Sequence, residues 1–526
     1  MRPFDTSGEF RPTAGGEELR RAAVRGVGVS IFASGMSFVL QFIGTIVLAR
    51  LLAPSDFGVV TMVTTFSLLV CSFGLNGFTE AILQRDGVTH SLASNLFWIN
   101  FGAGVVLTAA FAALGSLLAW FYHDPLVKRV TEGMSLTILA GSFSVIHLAL
   151  ANRALRFAAV SANNVVARSI SVIVSIILAF EGWGYWALVV GYLTQQVSTS
   201  VGAWIICRWT PGIIRRGVGT GEAMKFALKV YSHFGFSYAT GNTDNLIVGS
   251  RFHAQALGFY KKAFDLFYLP LSQLMSPIGA VVIATLSRFN HDRASYQRYF
   301  LAGISFLAFV GMGIGADFTL VGRDMIRFLL GPGWEEAGRI FVFFGPGIGI
   351  MMLYNTHGWI HLSVGRPGRW LVWAVIEFLS TVSLFMVALR WGPRGIAGAW
   401  TVSFTILLIP AFWYAGKPIG LEIAAVLGAV WKYFAASVVA GFATAWVIRS
   451  VPMFGTMPGA LGALARLVSN SLVFFALYFA AVVALHRGLD PIQQATRLIG
   501  DLLPWRAAAH PASVGPPGVG TGEVRT

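Results

Sequence analysis

The chain has 526 residues, 56% of them hydrophobic and 12% charged, with a mean hydropathy of +0.69. That balance excludes an ordinary soluble domain and identifies a multi-spanning membrane protein. The formal charge of +15 sits in short basic runs between apolar segments, where a positive-inside bias puts many of them, so no nucleic-acid partner is expected.

Taken in order, the first 24 residues mix Arg11, Arg20 and Arg21 with Glu9, Glu17 and Glu18 and read as a cytoplasmic segment without a removable signal. Apolar stretches of roughly 18 or more residues then number about fourteen. Six of them build an N-lobe over residues 25–207, and a basic loop at 208–226 carries Arg208, Arg215, Arg216 and Lys225. Six more build a C-lobe over 227–416, two further spans occupy 417–487, and residues 488–526, rich in Pro, Gly and Ala, read as a flexible tail. The fold class expected is therefore an all-α membrane protein: two six-helix lobes related by a pseudo-two-fold axis, plus two C-terminal helices. The distribution of arginines over the loops favours a cytoplasmic amino terminus by a modest margin. Cys71 and Cys207 are the only cysteines and lie in or beside apolar segments, so no disulfide framework or metal cluster is available, and no cofactor is expected.

An internal repeat supports the two halves. Shifted by 200 positions, TIVLARLLAPSDFG (45–58) lies on NLIVGSRFHAQALG (245–258) without gaps, and Gly35, Ser37 and Gly58 meet Gly235, Ser237 and Gly258. Paired halves of even span number share one orientation and leave a cleft between them, with a substrate site near the midplane on spans one, two, seven and eight.

The seventh span, near 229–252, carries His233, Asn242, Asp244 and Asn245. At about 100° per residue, His233, Ser237, Gly241 and Asp244 share one side, which by cost faces protein or a wet interior. Asn242 and Asp244 suit a sugar's hydroxyls or a coupling cation; an interhelical hydrogen-bond network is the other reading. In the eighth span, Lys261 and Asp265 are four apart and can pair along the helix, which leaves Lys262 for an anionic ligand unless both lysines snorkel to the interface. Arg153 and Arg156 are explained by positive-inside retention, while Arg168 sits deeper and offers a planar fork suited to phosphate. Asp317 and Glu377 are isolated acids in apolar runs, candidates for a coupling ion or for structural pairing with an arginine. The sequence holds no GxxxxGK[ST] loop, no HExxH and no GxSxG elbow, so neither ATP use nor chemistry on the substrate is expected, and the protein is read as a non-enzyme.

The segments LARLLAPSDFGVVTM (48–62), AILQRDGVTHSLASNLFWIN (81–100), NRALRFAAVSANNV (152–165), GWGYWALV (182–189) and, above all, residues 242–289 resemble the Wzx-type polysaccharide flippases of the MOP exporter superfamily. The resemblance covers roughly residues 25–450. It implies a two-lobed bundle of twelve to fourteen helices working by alternating access in a bacterial inner membrane. The implied cargo is an oligosaccharide repeat unit on undecaprenyl pyrophosphate, for exopolysaccharide or O-antigen synthesis, with membrane lipids and a polymerase and chain-length machinery as partners. Two other readings stay open: a multidrug cation antiporter of the same superfamily, and a membrane-embedded glycan polymerase or ligase.

Overall fold

The computed structural model describes residues 3–493 except 11–16, 86, 216–219, 226, 229–230, 232–237, 239–240 and 451–456. Part of the predicted seventh span, with His233 and Ser237, lies outside the described residues. Among these, the only strand-like pairings are two isolated bridges, Phe4 to Phe10 and Glu9 to Thr89.

The N-lobe consists of α1 (Glu17–Leu51), α2 (Pro54–Gln84), α3 (His90–Tyr122), α4 (Leu126–Ser142), α5 (Val145–Arg153), α6 (Phe157–Phe180) and α7 (Tyr185–Cys207). The C-lobe consists of α8 (Thr243–Arg288), α9 (Arg293–Leu330), a 3-10 turn at Pro332–Trp334, α10 (Glu335–Phe344), α11 (Gly347–Asn355), α12 (His357–Ser363), α13 (Pro367–Ala388) and α14 (Gly392–Gly416). Two further helices, α15 (Ile423–Ser450) and α16 (Gly459–His486), pack against α9. Arg466 on α16 grips Asp324 on α9 through Nε at 2.9 Å and Nη2 at 2.7 Å, which fixes their register.

Among the described residues, eight helices are long and apolar enough to cross a bilayer, or nine if the pair Pro332–Phe344 and Gly347–Ser363, bent by 52°, is one span. The fourteen expected crossings are not reached by that measure. The fourth predicted span of each lobe is broken, between α4 and α5 and again between α10 and α11, where Pro346 lacks the N–H that would continue the helical ladder. Phe32, Trp120, Phe180, Phe442 and Trp446 are all 70% exposed or more, an apolar surface that suits acyl chains and would promote association in water.

The repeat read from the sequence has a geometric counterpart. The first two helices of the N-lobe are separated at Ala53, which is extended (φ −74°, ψ 152°), and α8 is interrupted at His253 (φ 62°, ψ 179°), the position 200 residues on. Past these breaks, the start of α2 crosses the second part of α8 so closely that a Cβ on Gly58 would overlap the Ala254 carbonyl, and one on Gly258 would overlap the Pro54 carbonyl. Each contact is the other with the lobes exchanged, the reciprocity expected where a two-fold axis passes between like elements. Glycine is required because only bare backbones can approach that far.

Beside this crossing the lobes are fastened. Trp334, 2% exposed, donates its indole N–H to the Ala49 carbonyl at 2.7 Å. Arg50 donates to the carbonyls of Phe328 at 2.5 Å and Leu329 at 3.2 Å, capping the end of α9 from the opposite lobe.

Candidate functional site

A cavity of about 490 Å³ lies between the lobes and is bounded by α1, α2, α6, α7 and α8. Leu48, Phe57 and Leu330 line it on the side of the interlobe fastening, and Phe38, Leu68 and Gln273 line it farther along the same helices. Each helix contributes a stripe at helical spacing. On α8 one stripe is Lys261, Asp265, Tyr268 and Ser272, and its neighbour is Lys262, Leu266, Leu269 and Gln273. The opposite face of that segment, with Leu257, Tyr260, Ala263, Phe267 and Leu271, is buried in the C-lobe core.

From the N-lobe come Gln41 and Thr45 on α1, Thr61 and Thr64 on α2, Arg168, Ser171 and Ser175 on α6, and Tyr192 and Gln195 on α7. The polar side of α6 can stand at the cavity because small residues let α6 and α7 close together. Ser171 donates to the Gly191 carbonyl at 2.7 Å, and Asn163 Nδ2 donates to the Thr199 carbonyl at 3.0 Å.

The charges are unequal. Among the described residues Arg168, Lys261 and Lys262 face the cavity against a single carboxylate, Asp265, which leaves an excess of two positive charges. Asp265 holds Lys261 at 2.8 Å and Lys262 at 3.7 Å, while Lys262 Nζ also stands 4.4 Å from the centroid of the Phe57 ring. Among the described residues no carboxylate pairs with Arg168. A recess with net positive charge, amides and hydroxyls suits an anion that also offers hydroxyls.

Four of the sequence candidates, Arg168, Lys261, Lys262 and Asp265, meet at this cavity. Asn242 and Asp244 do not line it. Asn242 precedes the first turn of α8, donates to the Tyr238 carbonyl at 2.9 Å and accepts from Asn245 Nδ2 at 3.2 Å. Asp244, 1% exposed, accepts from the Tyr260 hydroxyl at 2.8 Å and the Trp400 indole at 3.2 Å, and so ties both parts of α8 to α14. This is the interhelical hydrogen-bond network that the sequence offered as the other reading of Asp244: Oδ2 takes both aromatic donors and Oδ1 the Asn245 N–H.

Asp317 on α9 accepts from Ser471 on α16 at 3.1 Å, and its other oxygen is buried without a partner among the described residues. Glu377 on α13 accepts from the Tyr354 hydroxyl at 3.0 Å. Among the described residues neither pairs with an arginine, and neither lines the cavity. Arg153 donates to the Ile82 carbonyl at 2.6 Å and is likewise outside it. Sequence reasoning missed Gln41, Gln195 and Gln273, although an amide in an apolar span is itself a signal of a polar surface. It placed the cleft on spans one, two, seven and eight, and of α6 and α7 it named Arg168 alone.

Residues 47–339 match the family model described as "Polysaccharide biosynthesis protein". The chain is 19% identical over 361 residues to the succinoglycan biosynthesis transport protein ExoT of Rhizobium meliloti (strain 1021), covering 69% of this chain and 73% of that one. It is 21% identical over 375 residues to the teichuronic acid biosynthesis protein TuaB of Bacillus subtilis (strain 168), covering 70% and 77%. Among solved structures, the lipid II flippase MurJ in an inward closed conformation superposes with a TM-score of 0.70 at 14% identity, covering 87% of this chain and 98% of that one, which shows a shared fold.

Proposed function

The chain belongs to the polysaccharide biosynthesis protein family, and from that premise we propose that it is a flippase for lipid-linked oligosaccharides. It moves repeat units on an undecaprenyl pyrophosphate carrier from the cytoplasmic to the periplasmic leaflet of a bacterial inner membrane, with its amino terminus in the cytoplasm. The observation that carries this reading is the excess of two positive charges in an interlobe cavity whose other polar lining residues carry amides and hydroxyls.

The pyrophosphate meets Arg168, Lys261 and Lys262, whose charge-assisted bonds to phosphate oxygens are the strong ones. The first sugars meet Gln41, Gln195 and Gln273. A cavity of about 490 Å³ takes the headgroup and leaves the polyprenyl tail in the lipid beside it. Carrying the cargo then requires no bond to break. The cavity's charge also argues against a cationic drug as cargo. Asp317 and Glu377 are the candidates for a coupling ion, and a polymerase with its chain-length machinery receives the product.

The test is deletion in the native host with complementation. Lipid-linked repeat units accumulate at the inner leaflet, polymer is lost, and the wild-type chain restores export while Arg168→Ala with Lys262→Ala does not. Full export by that double variant at normal protein level refutes the headgroup site.

A further inference from the structure

We propose that Phe57 and Trp334 couple the charge of the headgroup to the fastened end of the cleft, so that an anion in the cavity loosens it. This rests on the headgroup reading above and adds to it the route from binding to opening. Phe57 stands between the two. Lys262 Nζ lies 4.4 Å from its ring centroid, and the Trp334 ring packs against it at 5.5 Å and an interplanar angle of 69°. Trp334 in turn holds the Ala49 carbonyl, next to the Arg50 cap on α9. The cavity cation, the aromatic ring and the interlobe hydrogen bond are therefore contiguous.

Lys262 is the less committed of the two lysines, since Asp265 holds it at 3.7 Å and Lys261 at 2.8 Å. A phosphate oxygen offers it a charge-assisted bond stronger than a cation–π contact. Drawn to that oxygen, Nζ leaves the face of Phe57, the ring is free to turn, and Trp334 loses the packing that aims its indole at Ala49. With the cavity empty, Lys262 stays on Phe57 and the end stays shut, which keeps the transporter from opening without cargo.

The experiment places spin labels at Ala53→Cys and Glu335→Cys, on either side of the fastening, in a Cys71→Ser, Cys207→Ala background held in phosphatidylethanolamine and phosphatidylglycerol nanodiscs. Inter-label distances are measured with and without inorganic pyrophosphate, and pyrophosphate binding is measured in parallel by calorimetry. A short distance without ligand and a longer population with pyrophosphate are expected. Lys262→Met shows the longer population without ligand, Lys262→Arg does not, and Phe57→Leu binds pyrophosphate yet no longer responds to it. A folded Lys262→Met that stays fully closed, or a Phe57→Leu that responds like its parent, overturns the coupling. Absence of pyrophosphate binding in the parent refutes the headgroup reading instead, and the ligand-free Lys262→Met measurement still decides the coupling.

Discussion

The charged residues of the membrane domain divide by what surrounds them rather than by type. Lys262 and Arg168 border a cavity, whereas Asp244 is enclosed by aromatic donors. A charge-assisted contact is worth about 1.5–3 kcal/mol, so Lys262→Ala or Arg168→Ala weakens pyrophosphate binding roughly 10- to 100-fold, checked by calorimetry on the purified protein. Arg168→Lys recovers only part of this, because an ammonium lacks the planar two-pronged fork. Asp244→Ala leaves the Tyr260 hydroxyl and Trp400 indole without their acceptor and lowers stability by about 1–3 kcal/mol. Its signature is a lower unfolding temperature with unchanged pyrophosphate affinity. A loss of affinity without a loss of stability shows instead that Asp244 serves the ligand.

At the scale of helices, the crossing of α2 with the second part of α8 brings the backbones of the two lobes into contact, and a pivot is expected there. Gly58 meets Ala254, and Gly258 meets Pro54, in reciprocal positions. Gly258→Ala puts a methyl group into the Pro54 carbonyl and forces the helices apart, so the fastened end opens more readily. The accessibility of a cysteine at Ala53 to a membrane-impermeant maleimide rises as a result, and Gly58→Ala acts in the same direction. Equal labelling in all three proteins shows that the crossing is not a pivot. Helix α8 also illustrates what local spacing reveals. Lys261 and Asp265 lie one turn apart, and their 2.8 Å pair follows from the sequence alone. That Phe57, from the other lobe, takes the Lys262 charge is not a property of either helix separately.

For the whole molecule, the excess positive charge sets the response to ligand and salt. Pyrophosphate binds more tightly than inorganic phosphate, and both affinities fall as ionic strength rises through the range where the Debye length shrinks below about 10 Å. Titrations at several salt concentrations check this; an affinity indifferent to salt excludes an electrostatic site. The composition and span lengths made the membrane class and all-helical architecture legible, because a bilayer admits so few ways of satisfying a backbone. The repeat at a shift of 200 likewise pointed to two lobes and aligned Gly58 with Gly258, but not the contact that each makes with the opposite lobe. Less was legible where residues distant in sequence had to meet. Arg168 is about ninety positions before Lys261 yet shares its cavity, while Asp244 looked exposed to a wet cleft until Trp400, far along the chain, supplied its donor. The sequence by itself determined which helices form and which faces of them are polar, since both depend on neighbours within a few turns. Only the tertiary structure decided which polar faces turn toward one another and which are sealed in a core, because that depends on packing between helices that no local pattern encodes.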